Sequence, residues 1–186
     1  MGVKMSNVVI KIENTLVREH VSIADQILKA SKDVNVTNII LVINSKGGDA
    51  DIITPIWEAI KISKMAGKKI IAIGMIVVCS AAASIFMMAD IRILLPNTIF
   101  TMHKALVELD EDSYTIDELL DIVDELRLTT KIAWTPIIQN SKLTEKILNR
   151  KCNGGDWILS EDELISYGIV TEKYDTEKMA KFLDLA

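Results

Sequence analysis

Lys69-Ile-Ile-Ala-Ile-Gly-Met-Ile-Val-Val-Cys-Ser-Ala-Ala-Ala-Ser84 is the stretch that decides the fold. From Lys69 to Gly74 it is rich in β-branched residues and reads as a strand. From Ser80 it turns to small helix formers, so a strand gives way to a helix at that serine. The wider run Ile70 to Ala89 carries no charge and is long enough to cross a bilayer. Gly74, Ser80 and Ser84 interrupt it, however, and its residue types change halfway. It is read as a buried strand, a turn and a buried helix, and no membrane span is expected.

Other strands flank this unit. Val8 to Ile12 reads as the first, and the near-continuous apolar run Asn38 to Asn44 as a central strand covered on both faces. Ser45-Lys-Gly-Gly-Asp49 breaks the central strand, and a helix follows from about Ile52 to Met65, with Pro55 in its first turn. Ile91 to Leu95 and Ile99 to Met102 are further strands, split by Pro96-Asn97. Ser22-Ile-Ala-Asp25 has the pattern of a capping box opening a helix. The resulting β-α-β-α-β-α-β order predicts an α/β fold on a mostly parallel sheet.

The C-terminal half is helical in pattern. Thr115-Ile-Asp-Glu118 caps a long helix with Ile116, Leu119, Leu120, Val123, Leu126 and Leu128 on its apolar side. Pro136 is expected to kink or end it. Leu143 to Arg150 reads as a short helix. Ser160-Glu-Asp-Glu163 opens another, closed by Gly168, and Ile169-Val170 reads as a last strand before a helix from Thr176 to Leu185. No linker or repeat appears, so residues 1–186 are taken as one domain. The long helix is too extended for a small domain to cover, which suggests an oligomer contact.

The net charge of −5, with no basic stripe, argues against nucleic acid as a partner. Two cysteines, Cys79 and Cys152, make no disulfide framework, which fits a reducing cytoplasm. No cofactor or metal is called for.

Chemistry converges on Ser80 and His103. A serine at a strand-to-helix turn lifts its hydroxyl clear of the sheet, beside the N–H groups of the new helix. The bland alternative is a helix N-cap. His103 ends a strand where it can take the serine proton. The other histidine, His20, lies in a polar, helix-entry context. Candidates for a third, orienting residue are Asp90, Asp156, Asp162 and Asp175. Asp156 stands out, entering the apolar Trp157-Ile-Leu159 after Gly154-Gly155, so a desolvated and aimed carboxylate is expected. Gly47-Gly48, ordinarily just a turn, would here let a peptide backbone approach and would free an N–H for an oxyanion.

Ile43-Asn-Ser-Lys-Gly-Gly48, Gly74 to Ala82, Leu95-Pro-Asn97 with Met102-His103, and Asp156 to Ser160 with Tyr167-Gly-Ile-Val170 occur in one order and spacing. In that order they resemble the Clp protease proteolytic subunit, the ClpP family, as a divergent or phage-type member of the ClpP/crotonase superfamily. The resemblance implies repeated β-β-α units with a protruding handle helix, here the helix starting near Ile116. It implies a serine endopeptidase acting on peptides or unfolded proteins, with Ser80 as nucleophile, His103 as general base and Asp156 orienting it. Gly48 and Ala81 N–H groups would form the oxyanion hole, and Gly47 and Gly48 would bind substrate. It also implies a homo-oligomer of heptameric rings, single or double. Lys46 stands where the family has proline, and Ser80 is followed by Ala-Ala in place of Met-Gly. A Clp-type ATPase partner is left open, because the first strand begins near Asn7 without the family's axial segment. Two rival readings are an acyl-CoA enzyme of the crotonase type and a non-catalytic ClpP-like assembly subunit. The presence of all three triad residues argues against both.

Overall fold

The computed structural model describes residues 6–109 and 113–183. Its strands are β1 (Ser6–Leu16), β2 (Val36–Gly48), β3 (Lys69–Cys79), β4 (Ile91–Leu94), β5 (Ile99–Met102) and β6 (Trp157–Ile158). Its α-helices are α1 (Ser22–Lys32), α2 (Ile53–Met65), α3 (Ala81–Met87), α4 (Ile116–Gln139), α5 (Glu145–Lys151), α6 (Glu161–Ser166) and α7 (Thr176–Phe182). The sheet runs β1-β2-β3-β5-β6, all parallel except the β5–β6 pair. β4 lies beside the first half of β3, and β5 beside its second half.

The central strand is buried as its composition predicts: Ile39, Ile40, Leu41 and Ile43 are wholly enclosed. One face of the sheet packs under α1, α2 and α3 in a continuous apolar core. The other face gathers Ile40, Ile71, Ile73 and Ile93 under Met179 and Phe182 of α7. Ile70 to Ala89 divides into β3 and α3 as expected. Among the described residues no helix is long and apolar enough to cross a membrane.

Several boundaries differ from the sequence reading, each for a tertiary reason. β2 does not stop at Ser45, because the Ser45 hydroxyl donates to the Asn14 carbonyl at 2.5 Å and accepts the Gly47 N–H at 3.1 Å. β3 does not stop at Gly74, because Val77, Val78 and Cys79 find a new partner in β5. Asn14 and Ile76 take positive φ (66° and 60°) near this level, so β1, β2 and β3 all kink there. Such a φ strains a β-branched residue such as Ile76. Gly74 fits because a methyl there would stand 2.4 Å from Leu94 Cδ2.

The Ser22 capping box does not form. A 3-10 turn, Arg18–Val21, leads straight into α1, and Val21 is its N-cap without a side-chain bond. The boxes at Thr115 and Ser160 both form, with Glu118 and Glu163 reaching back. Pro136 sits inside α4, which ends within a turn of it, and Asn140 donates both its N–H and its side-chain amide to the Pro136 carbonyl.

Ile169-Val170 is not a strand. Arg92, only 6 % exposed, spends its guanidinium on the carbonyls of Ala89, Asn140, Gly168 and Ile169, each at 2.8–2.9 Å. Burial lowers the Arg92 pKa, and the charge of Asp90 pulls it back up. The N–H groups of Ile169 and Val170 meanwhile go to the Leu164 carbonyl. Ile169 thus has its N–H and its carbonyl, and Val170 its N–H, engaged outside any ladder. The last strand is β6, whose Trp157 pairs with Met102.

Candidate active site

Ser80 is the N-cap of α3 with φ 56° and ψ −126°. This is a conformation that side chains rarely adopt, at a cost of roughly 1–3 kcal/mol. Its surroundings impose it. The Ser80 N–H donates to the buried Thr101 carbonyl at 3.1 Å, and its carbonyl accepts from Ala83 and Ser84. From the other side Gly47, at φ 86°, presses on the turn. A methyl there would fall 2.6 Å from Ser80 Cβ and 2.7 Å from the Cys79 carbonyl. Gly48 is as confined, since its methyl would stand 2.1 Å from the Leu16 carbonyl oxygen. Ser80 thus holds the N-cap position, but its hydroxyl caps no N–H. The Ala81 N–H, first in its helix, has no intrahelical acceptor.

His103 follows β5 and is half-buried. Its carbonyl accepts from Trp134 Nε1 on α4 at 3.2 Å. Its Nδ1 lies 2.5 Å from the Lys104 carbonyl. A carbonyl only accepts, so this contact puts the proton on Nδ1 and leaves the Nε2 lone pair free for a proton. Ala105 then donates to Thr130 Oγ1 of α4 at 2.9 Å. The imidazole-bearing segment thus hangs from α4 as well as from the sheet. His20, by contrast, uses Nδ1 to accept the Val17 N–H within its own turn.

Ser80, His103, Gly48 and Ala81 line one cleft of about 530 Å³. Its deep wall is apolar, made by Ile53, Met102, Trp134 and Ile137, and charged side chains such as Lys46, Asp49 and Glu125 also line it. Among the described residues the Ser80 hydroxyl and the imidazole share the cleft without a hydrogen bond between them. Such bonds often tighten only once substrate is bound.

Asp156 differs from expectation. It is exposed, it does not line the cleft, and its carboxylate bonds no group among the described residues. The turn before it, Asn153 to Gly155, faces solvent and takes the aspartate with it. Its position along the sheet is nonetheless apt. Met102 pairs with Trp157 in antiparallel register, which sets Asp156 beside His103 just past the end of that ladder. Its charge also reaches the buried Cys152 thiol. Burial pushes that pKa up, Lys104 opposes, and Asp156 adds to the rise.

The other acidic candidates are mostly committed elsewhere. Asp90 accepts the Ile70 N–H and pairs with Lys64 at 2.7 Å. Asp175 accepts the Lys178 N–H at the start of α7. Asp162 is exposed in the first turn of α6. No group of three or more potential metal ligands gathers among the described residues.

Three residues not singled out in the sequence shape the site. Ser45 cinches the glycine segment, and Thr101 holds the elbow. Ser84 lines the cleft one helical turn beyond Ser80. Its spacing of four from Ser80 was the available signal, because i and i+4 share a helix face.

A family model described as Clp protease matches residues 4–177, nearly the whole chain. Among solved structures, a mutant of ClpP1 from Listeria monocytogenes superposes with a TM-score of 0.73 at 21 % identity. The match covers 91 % of this chain and 92 % of that one, and at this identity it speaks for the fold, which is ClpP/crotonase-like. No curated protein sequence matches.

Proposed function

The chain belongs to the Clp protease family, and from that premise we propose that it is a serine endopeptidase of peptides or unfolded proteins. The observation that carries this reading is the shared cleft. It combines a serine held at a strained strand-to-helix elbow, an imidazole whose Nδ1 faces the Lys104 carbonyl, and the backbone of Gly48 and Ala81.

His103 Nε2 takes the proton of Ser80 Oγ, which attacks the peptide carbonyl. The oxyanion rests on the N–H groups of Gly48 and Ala81. His103 passes the proton to the leaving amine, and water then releases the acyl-enzyme. The substrate lies extended beside Gly47-Gly48. Asp156 is the positioning residue: once its carboxylate turns toward His103 it takes over Nδ1 from the Lys104 carbonyl and steadies the imidazolium. The residues form one domain, and no step requires a metal or cofactor.

The protein works as a homo-oligomer, in rings of the kind the family forms, and in the cytoplasm. What supports assembly is α4, which leaves Ile116, Leu120 and Leu128 more than half exposed and Leu119 and Val123 at 40 %. A fluorophosphonate probe tests the central claim. It should label the wild type at Ser80, and Ser80→Ala should abolish labelling and peptidase activity while circular dichroism stays the same. Labelling that persists in the variant, or a wild type that hydrolyses an acyl-CoA thioester and no peptide, defeats the reading.

A further inference from the structure

Ser84 is 1 % exposed, yet its hydroxyl has no protein hydrogen-bond partner among the described residues. No other described side chain has a buried polar atom in that condition. Buried hydroxyls are ordinarily satisfied, and an unpaired one calls for a partner. Ser84 could have tied its hydroxyl back onto its own helix, as Ser63 does onto the Ala59 carbonyl in α2. It does not. It lines the same cleft as Ser80 and His103, amid Ile53, Met102, Trp134 and Ile137, which are all at most 4 % exposed. The deep end of the cleft is therefore an apolar pocket with one unspent hydrogen-bonding group.

We propose that Ser84 is a specificity-determining residue: its hydroxyl receives the amide side chain of the residue on the acyl side of the scissile bond, glutamine first. The inference rests on the peptidase reading above. Ser84 lies four positions beyond Ser80, about 6 Å of helical rise. A glutamine side chain spans that depth, whereas serine or threonine falls short. Methionine reaches as far but leaves Ser84 unpaired. A site with a buried polar group discriminates strongly against a ligand that lacks the matching one. An amide can both give and take a hydrogen bond with a hydroxyl, and it brings no charge into an apolar pocket.

The test compares peptides that differ only at that residue, glutamine against methionine, on the assembled protein. The wild type should prefer glutamine in kcat/KM by at least about tenfold, and Ser84→Ala should bring the ratio close to one. The variant should also melt no lower than the wild type, since it loses an unpaired buried hydroxyl. Equal ratios in the two proteins, or a wild-type preference for methionine, overturn the proposal. A hydroxyl served only by a resident water gives that same result. Failure of the peptidase reading looks different: neither peptide is cut, and Ser80 is not labelled by fluorophosphonate. In that case product peptides ending in glutamine or methionine are titrated calorimetrically. An affinity ratio that Ser84→Ala leaves unchanged then overturns the proposal.

Discussion

The two walls of the cleft are built in opposite ways. The Ser80 wall is closed by backbone: Thr101 from β5, Gly47 from β2 and the first turn of α3 each hold the elbow within van der Waals or hydrogen-bond contact. The His103 wall is suspended from α4 by Trp134 and Thr130, and Asp156, proposed to steady that imidazole, is exposed to solvent. One wall is finished by the chain itself. The other depends on how α4 and the turn at Asn153–Gly155 are held. The elbow that carries Ser80, the proposed nucleophile, is a property of the fold, while the alignment of His103, the proposed base, is a property of the working state.

Perturbing the rigid wall should be most damaging. Gly47→Ala drives a methyl into the elbow and also strains a positive φ, so kcat/KM should fall about a thousandfold or more, with fluorophosphonate labelling lost in parallel. A variant with more than a tenth of wild-type activity would mean that the elbow tolerates movement. Next comes the base. Asp156→Asn should leave assembly intact by light scattering and lower kcat by about a hundredfold, because the imidazolium loses its counter-charge. A loss below about threefold would assign the tautomer wholly to the Lys104 carbonyl and remove Asp156 from the mechanism. Asp162→Asn should change the rate little.

Assembly separates the walls further. Leu119→Glu with Leu126→Glu puts two charges seven residues apart, on one side of α4. Sedimentation should show smaller species; Leu126 also lines the cleft, so Leu119→Glu alone, which leaves the cleft lining intact, reads the activity loss of about tenfold as α4 loses its support. A fully active monomer would contradict the dependence on α4. The smallest effect concerns the clasp beneath Asp156. Glu163 accepts from Lys151 and from the Ser160 N–H, which hold its carboxyl below the ordinary 4.5, with a further bond from Trp157. A pKa lowered by folding adds stability above the unfolded value, and that stability is lost as pH falls through the folded one. Thermal melts from pH 7 to pH 3 should therefore show a shallower acid loss for Glu163→Gln than for the wild type. Parallel curves would show the clasp to be idle.

How much of this is legible in the sequence follows from what each feature depends on. The strand-to-helix switch at Ser80 and the boxes at Thr115 and Ser160 rest on residues within a few positions of each other, and they read correctly. The failed box at Ser22 was overridden by the 3-10 turn before it. β3 outruns Gly74 because β5 is there to pair with it, and Ile169-Val170 is not a strand because Arg92 takes the Gly168 and Ile169 carbonyls and Leu164 takes the N–H groups of Ile169 and Val170. Local pattern carries neither fact. Asp156 was singled out by its apolar neighbours, but only Trp157 and Leu159 turn inward, while Asp156 and Ile158 alternate outward. Burial of a segment does not bury each of its side chains.

Arg92 also bears on how the chain comes together. Its side chain joins Ala89 to Asn140 and to Gly168-Ile169, partners 48 to 77 residues away along the chain. Until these carbonyls arrive, the guanidinium keeps its water; once they do, releasing any one of them strands a desolvated cation. Docking of the C-terminal segments onto Arg92 therefore closes long loops, a kind of contact that slows folding. The stretch that carries Asp156 lies within such a loop. It shares one latch with the segments that Arg92 ties down, so a cut there is expected to loosen the proposed site and the fold together.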